Sequence, residues 1–440
     1  MTKRMCHVIL NSMQKTILIV GGGYAGVAAA KGLMKRRIDA RIIFVDQHSY
    51  QALPSDFYEL ATVNLSERKS IDWERLKRCA TVPFAEIFKG NPIEIRKDSL
   101  ERVYLNRHVC VFTRHGEQPY DYLLLAIGAE TNFYDIPRLQ EYCHGFKTIS
   151  DVLGARNAVD ELFARKAKHE PIHIIVGGGG FTGCEVAAEL IGFINKLADQ
   201  HGHPRSSLSV TIVEAGATLL PGGSAWLQTA AKKRLEALGV RLIFKKPIQS
   251  VTEFEALFDG HSLPYDILFW TAGVKANLFF DQWIEVKKEK GGRVAVDQTL
   301  RIPECQNVFI LGDAAYCANP ATGKSEPMTG QTALHHGKYA ARTIADLLKN
   351  RPPDQIKRTG SPARVIWVGP PQPYRHKKPL LLVPLGGTYA LLDLGWIRVR
   401  GIFGWILKRA ALLRYLLSIL PLSKALSFWL ATTRLFTKND

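Results

Sequence analysis

A chain of 440 residues with 46% hydrophobic and 22% charged content is globular and has room for two or three domains, which excludes a disordered segment or a small disulfide-stapled module. Its net charge of +18 points to an anionic partner: nucleic acid, a membrane surface or an anionic cofactor. No zinc-finger, helix-turn-helix or other nucleic-acid module accompanies that charge, so no nucleic-acid partner is expected.

The chain opens with basic residues at 1–4, but the apolar run Val8–Leu10 is too short for a signal-peptide core, and residues 1–14 read as an extension. The apolar run Thr16–Val20 then leads into Gly21, Gly23 and Gly26. This is a strand, a tight turn and a helix start. Glycine lets the backbone approach a pyrophosphate, and the helix N-terminus faces its charge. The following helix carries Ala25, Ala28, Ala29 and Ala30, small enough to pack closely on a sheet. The next strand, Arg41–Val45, ends in Asp46, twenty residues after Gly26, where a carboxylate accepts ribose hydroxyls. A further strand, Tyr122–Ile127, runs into Gly128. Residues 146–168 read as a linker and a helix.

The pattern then repeats. Ile172–Val176 leads into Gly178, Gly180 and Gly183, a helix spans about 182–199, and the strand Leu208–Val213 ends in Glu214. The strand Tyr265–Trp270 runs into Gly273, and Asn307–Leu311 runs into Gly312 and Asp313. A helix over about 330–348 carries Gln331 and His335, four apart and so on one face. One such fingerprint is weak evidence. Two in register imply two dinucleotides, as in an enzyme that passes electrons from a nicotinamide to a flavin.

Prolines at 352–353 and a Pro-rich stretch over 369–379 punctuate a last region. Short alternating runs at 365–368, 380–384, 389–392 and 397–399 suggest small antiparallel strands. Two apolar helices over 402–419 and 422–436 follow, broken at Pro421. The tail from Trp396 holds Arg398, Arg400, Lys408, Arg409, Arg414, Lys424, Arg434 and Lys438 against the single acid Asp440, with Trp396, Trp405 and Trp429 among them. Phe403, Ile406, Ala410, Leu413 and Leu417 form an apolar stripe with Lys408 opposite, though Leu412, Leu416 and Ile419 spoil a polar face. This helix is therefore covered on more than one side, by protein or by lipid. No uncharged apolar run reaches the roughly 18 residues of a spanning helix. The composition favours lying in the interface of an anionic membrane. A homodimer interface or a helix packed on the core is the other use of such a segment.

Together the motifs LLLAIGAETNF, VGGGGFTGCEVAAEL, WTAGVKAN, NVFILGDAA and TGQTALHHG make the chain resemble the type II NADH:quinone oxidoreductases, single-subunit respiratory dehydrogenases that do not pump protons. The resemblance runs over roughly 16–345. It implies two Rossmann-like α/β domains, the NADH domain inserted in the FAD domain, with a small membrane-associating C-terminal domain. The boundaries it implies are 15–145 with 274–348 for non-covalent FAD, 146–273 for NADH and 349–440 for the membrane. Gly21, Gly23, Gly26, Asp46, Gly128, Gly312 and Asp313 would serve the flavin, and Gly178, Gly180, Gly183, Glu214 and Gly273 the NADH. Glu185 matches an acidic residue near nicotinamide and flavin; its residue-level alternative is simple electrostatics on the first turn of a helix. The family has glutamine at both quinone-contacting positions, whereas here the second is His335, beside His336. The implied setting is a peripheral membrane protein, on the cytoplasmic face of a bacterial inner membrane or its organellar equivalent, that reduces a membrane quinone.

Glu214, with no arginine in residues 215–217, predicts NADH over NADPH. The cysteines at 6, 79, 110, 143, 184, 305 and 317 have no C-x-x-C spacing and read as reduced thiols, and no His or Cys grouping predicts a metal. Two rival functions stay open. One is a quinone-linked flavoprotein with another donor such as sulfide, which a cysteine pair would mark. The other is an NADH-sensing flavoprotein with slow turnover.

Overall fold

The computed structural model describes residues 14–64, 73–349 and 371–437. The extension over 1–13, the strand expected at 365–368, the prolines at 352–353, the start of the 369–379 stretch, Lys438 and Asp440 lie outside the described residues. The chain divides into two compact units. The first comprises 1–49, 88–128 and 277–376, and the second 50–87, 129–276 and 377–440.

The first unit is built on a six-stranded sheet. Its strands run in the order Arg301–Ile302, Cys305–Ile310, Tyr122–Leu125, Thr16–Val20, Arg41–Asp46 and Glu94–Lys97, all parallel except the first. Ile17, Leu18, Ile19, Ile43, Phe44 and Leu123–Leu125 have no exposure worth the name on either face. Continuous apolar strands of this kind are covered on both sides, as parallel sheets are. The helix Tyr24–Lys35 buries Ala25 and Ala28–Ala30, and those small side chains bring it close to the helix Gly330–Lys349. A three-stranded antiparallel sheet over 100–119 completes this unit's larger elements.

The second unit has a five-stranded parallel sheet in the order Cys143–His144, Ile267–Trp270, Ile172–Gly177, Leu208–Glu214 and Arg241–Phe244. The helices Ile149–Arg165, Phe181–His201 and Ala225–Ala237 flank it. Thr148 and Asp151 form a reciprocal capping box at the first of these, satisfying two amides that would otherwise be orphaned. The alternating runs near the C-terminus form an antiparallel sheet of Leu381–Pro384, Ala390–Asp393 and Arg398–Gly401. The helices Ile402–Ile419 and Leu422–Phe436 follow, and Pro421 sits between them with an extended backbone that cannot continue the first. Among the described residues, no helix is long and apolar enough to cross a membrane.

Candidate active site

In the first unit three parallel strands end side by side, so Gly21, Gly128 and Gly312 lie just past their carboxyl ends, the ligand-binding edge of an α/β sheet. Gly21 has φ +104°, and a Cβ there would lie 2.3 Å from the Ala126 carbonyl oxygen. A Cβ on Gly26 would lie 1.9 Å from the Gly21 oxygen, so no other residue fits either place. Around Gly23 the space is open. The helix it caps begins without a capping side chain, leaving its first amides for an anion. Asp46 closes the turn, accepting from the Gly22 amide at 2.5 Å and the His48 amide at 2.7 Å. Burial holds its carboxyl above the usual range, partly offset by those two amides. Gly128 and Gly312 both take positive φ, and half-buried Asp313 is the middle residue of a short turn at 312–314.

The second unit repeats this construction. Gly178 also has φ +104°, with a Cβ 2.6 Å from Ala272 Cα, and a Cβ on Gly183 would again lie 1.9 Å from the first glycine's oxygen. Open space surrounds Gly180, which caps the helix Phe181–His201 without a side-chain bond. Glu214 accepts from the Gly179 amide and the Gly216 amide, both at 2.6 Å. Gly273, at φ +150°, leaves room for the Tyr134 hydroxyl, which donates to the Ala272 carbonyl at 3.2 Å. Each cradle therefore fits a dinucleotide: a turn only glycine can make, an uncapped helix start and a carboxylate at the neighbouring strand end.

Glu185 departs from its electrostatic alternative. It is the fifth residue of its helix, beyond the first turn, and that turn carries no acid. A dipole-stabilised carboxylate would titrate low. Burial instead pushes Glu185 up to about 8; Lys408 offsets part of this, while Glu59, Asp56 and Glu189 add to it. These neighbours form a buried charge cluster that the sequence reading missed. Lys408 Nζ lies 2.9 Å from Glu59 Oε2 and 3.3 Å from Asp56 Oδ1, and Arg409 reaches Glu59 at 3.7 Å. All four side chains are buried. Burial works to lower Lys408, but Glu59 and Asp56 outweigh it and hold the ammonium above its ordinary range. Burial raises Glu59, and Lys408 and Arg409 offset only part of the rise.

The helix Ile402–Ile419 turns these two cations inward. Its inward face is Gly404, Lys408, Arg409, Leu412, Leu416 and Ile419. The apolar stripe points outward: Phe403 is 69% exposed, and Ile406, Ala410 and Leu417 are exposed too. Ion pairing with Asp56 and Glu59 inverts the usual rule that charges face water. Arg409 also donates to Thr432 and Thr433 at 2.8 and 2.7 Å, fastening the last helix to this one. Trp396, Ile402, Leu422, Leu426 and Leu430 extend the exposed apolar surface, with Arg398, Arg400, Arg414 and Arg434 exposed beside them.

Gln331 and His335 are both half-buried on the first two turns of the helix Gly330–Lys349. Its neighbour His336 is the one turned fully inward, accepting from the Gly312 amide through Nδ1 at 3.1 Å. Only helical phase separates the two histidines in sequence, and no local signal marked His336. Burial pushes the thiols of Cys143 and Cys184 upward, Cys143 to about 12, so both are protonated at neutral pH.

Residues 15–337 match the family model described as pyridine nucleotide-disulphide oxidoreductase. A type II NADH:quinone oxidoreductase of Staphylococcus haemolyticus is 26% identical over 349 residues, 77% of this chain and 84% of that protein. The protein of the same name from Staphylococcus aureus strain NCTC 8325 is 25% identical over 358 residues, 78% and 85% of the two chains. Among solved structures, the fold is similar to NDH2 from Plasmodium falciparum in complex with NADH, with TM-score 0.79, 16% identity and coverage of 97% and 99%. It is also similar to the sulfide:quinone oxidoreductase of Aquifex aeolicus, with TM-score 0.70, 16% identity and coverage of 90% and 89%.

Proposed function

The chain belongs to the pyridine nucleotide-disulphide oxidoreductase family, and from that premise we propose that it oxidises NADH and reduces a membrane quinone through non-covalently bound FAD, without pumping protons. The observation that carries this is the duplicated cradle, built twice with the same φ and the same close approach. The first takes FAD on Gly21, Gly23, Gly26 and Asp46, with Gly128, Gly312 and Asp313 at the adjoining strand ends. The second takes NADH on Gly178, Gly180, Gly183, Glu214 and Gly273. In functional terms 15–145 and 274–348 serve the flavin, 146–273 the NADH and 349–440 the membrane.

Bound FAD supplies a two-electron carrier between nicotinamide and quinone. The chain's own residues bind and orient. Glu214 accepts the adenosine ribose hydroxyls of NADH and repels a 2′-phosphate. Orientation and proximity suffice for hydride loss from nicotinamide C4. Glu185, which holds its proton up to about 8, is placed to exchange one at neutral pH. Gln331 and His335 contact the quinone head group. The exposed apolar face of the last two helices, which also carry the exposed Arg414 and Arg434, lies in the interface of an anionic membrane, as a peripheral protein does.

The sulfide reading requires a nucleophilic thiolate, which the raised thiols of Cys143 and Cys184 do not supply. The proposal is tested by denaturing the purified protein and by adding NADH to it without oxygen. It predicts release of free FAD in the first case and bleaching of bound flavin in the second. Colourless protein that FAD cannot reconstitute would defeat it.

A further inference from the structure

We propose that His336 is a positioning residue for the flavin site: its unprotonated Nδ1 holds the Gly312 amide and so sets the turn that presents Asp313. The inference rests on the flavin reading above. The adjoining strand ends at Ile310, and Leu311 makes the last ladder bond, to the Leu125 carbonyl at 2.9 Å. Gly312 follows with φ +68°, in a left-handed conformation in which the chain after its amide leaves the strand for the short turn at 312–314. That amide is buried and would be an orphan donor, except that His336 Nδ1 accepts it at 3.1 Å.

Nδ1 can accept only if the ring proton sits on Nε2, and the surroundings enforce that choice. Nε2 lies 3.4 Å from Glu326 Oε2, not hydrogen-bonded to it but close enough for the negative carboxylate to favour a proton there. The Tyr374 hydroxyl donates to the same oxygen at 2.9 Å, and His376 Nδ1 lies 3.8 Å from the other. Tyr374 packs edge-on against the His336 ring at 4.9 Å. Buried Arg293 donates to the Glu326 carbonyl at 3.2 Å and to the Ala315 carbonyl, tying this group to the residue that follows the turn. A carboxylate therefore fixes the tautomer, the tautomer fixes the amide, and the amide fixes the turn. None of these side chains belongs to the pyrophosphate cradle.

Three full-length variants, His336→Asn, His336→Gln and His336→Ala, separate this role from packing. The asparagine oxygen falls near the place of Nδ1 and can accept the Gly312 amide. The longer glutamine reaches toward Glu326, in place of Nε2, and leaves that amide unpaired. The proposal predicts FAD dissociation constants within about twofold of wild type for His336→Asn, and weaker by about tenfold for His336→Gln and His336→Ala. NADH binding, which draws on the second unit, is expected unchanged in all three. Glutamine is closer to histidine in volume, so a packing role ranks Gln above Asn. That order, or equal FAD affinity in every variant, overturns the proposal. Failure of the wild type to bind FAD overturns the functional reading itself, and this inference with it.

Discussion

Replacing Lys408 by methionine removes the cation 2.9 Å from Glu59 and 3.3 Å from Asp56 while keeping most of the side-chain volume. Both acids are buried and would keep no ammonium partner, and Arg409 touches Glu59 only at 3.7 Å. Breaking a buried pair from one side costs about 3–5 kcal/mol, because it strands charge in a poorly solvating interior. At about 2–4 °C per kcal/mol for a unit of this general size, the melting temperature should fall by roughly 6–20 °C. A thermal melt by circular dichroism in excess FAD, at neutral pH, reads this directly. Adding Asp56→Asn and Glu59→Gln to the methionine variant should recover most of the loss, since removing a whole buried cluster is far cheaper than removing one partner. A methionine variant melting within about 2 °C of wild type would refute the reasoning, since it would mean the acids are solvated or protonated without Lys408.

Four other outcomes follow from the same geometry. Glu214→Arg should narrow the preference for NADH over NADPH, measured as the ratio of the two kcat/KM values, and equal use of both donors by the wild type would remove Glu214 from the ribose site. Glu185 has a folded-state pKa of about 8 against an ordinary 4.5, so between those values the unfolded chain has lost a proton that the folded chain keeps, and stability falls as pH rises. Denaturant melts of Glu185→Gln should lack that fall over pH 4.5–8, and parallel curves for the two proteins would show the carboxyl to be unshifted. Phe403→Asp with Ile406→Asp should lower sedimentation with anionic vesicles and leave NADH reduction of flavin intact; undiminished vesicle binding would move the membrane surface elsewhere. His335→Ala should weaken quinone use by about 0.5–1.5 kcal/mol and spare stopped-flow flavin reduction, whereas slowed flavin reduction would return His335 to the core.

The vesicle test uses surface substitutions because the structure makes truncation at 402 uninformative. Deleting the last helices would strip Lys408 and Arg409 from Asp56 and Glu59. That dependence could not be read from the sequence. The nucleotide folds could, because strand, glycine turn, helix and strand-end acid are local, and each constraint acts over a few tens of residues. The helix break at Pro421 and the small C-terminal sheet were legible for the same reason. The inward turn of Lys408 was not legible, because an isolated lysine on an apolar helix belongs in water and only acids some 350 positions earlier reverse that. Asp56 and Glu59 gave a faint signal, two carboxylates one turn apart among Phe57, Tyr58, Leu60 and Ala61. His335 and His336 differ only in helical phase, and the close packing of Gly330–Lys349 on its neighbour decides which one turns inward.

The central claim is electron transfer from NADH through flavin to quinone. Steady-state NADH oxidation by purified, FAD-loaded protein, with and without a soluble quinone analogue, tests it most directly. The account predicts slow oxidation without quinone and multiple rapid turnovers with it, each NADH consumed matched by one quinone reduced. Flavin that bleaches with NADH but is not reoxidised faster when quinone is added would contradict it and leave an NADH-sensing flavoprotein instead.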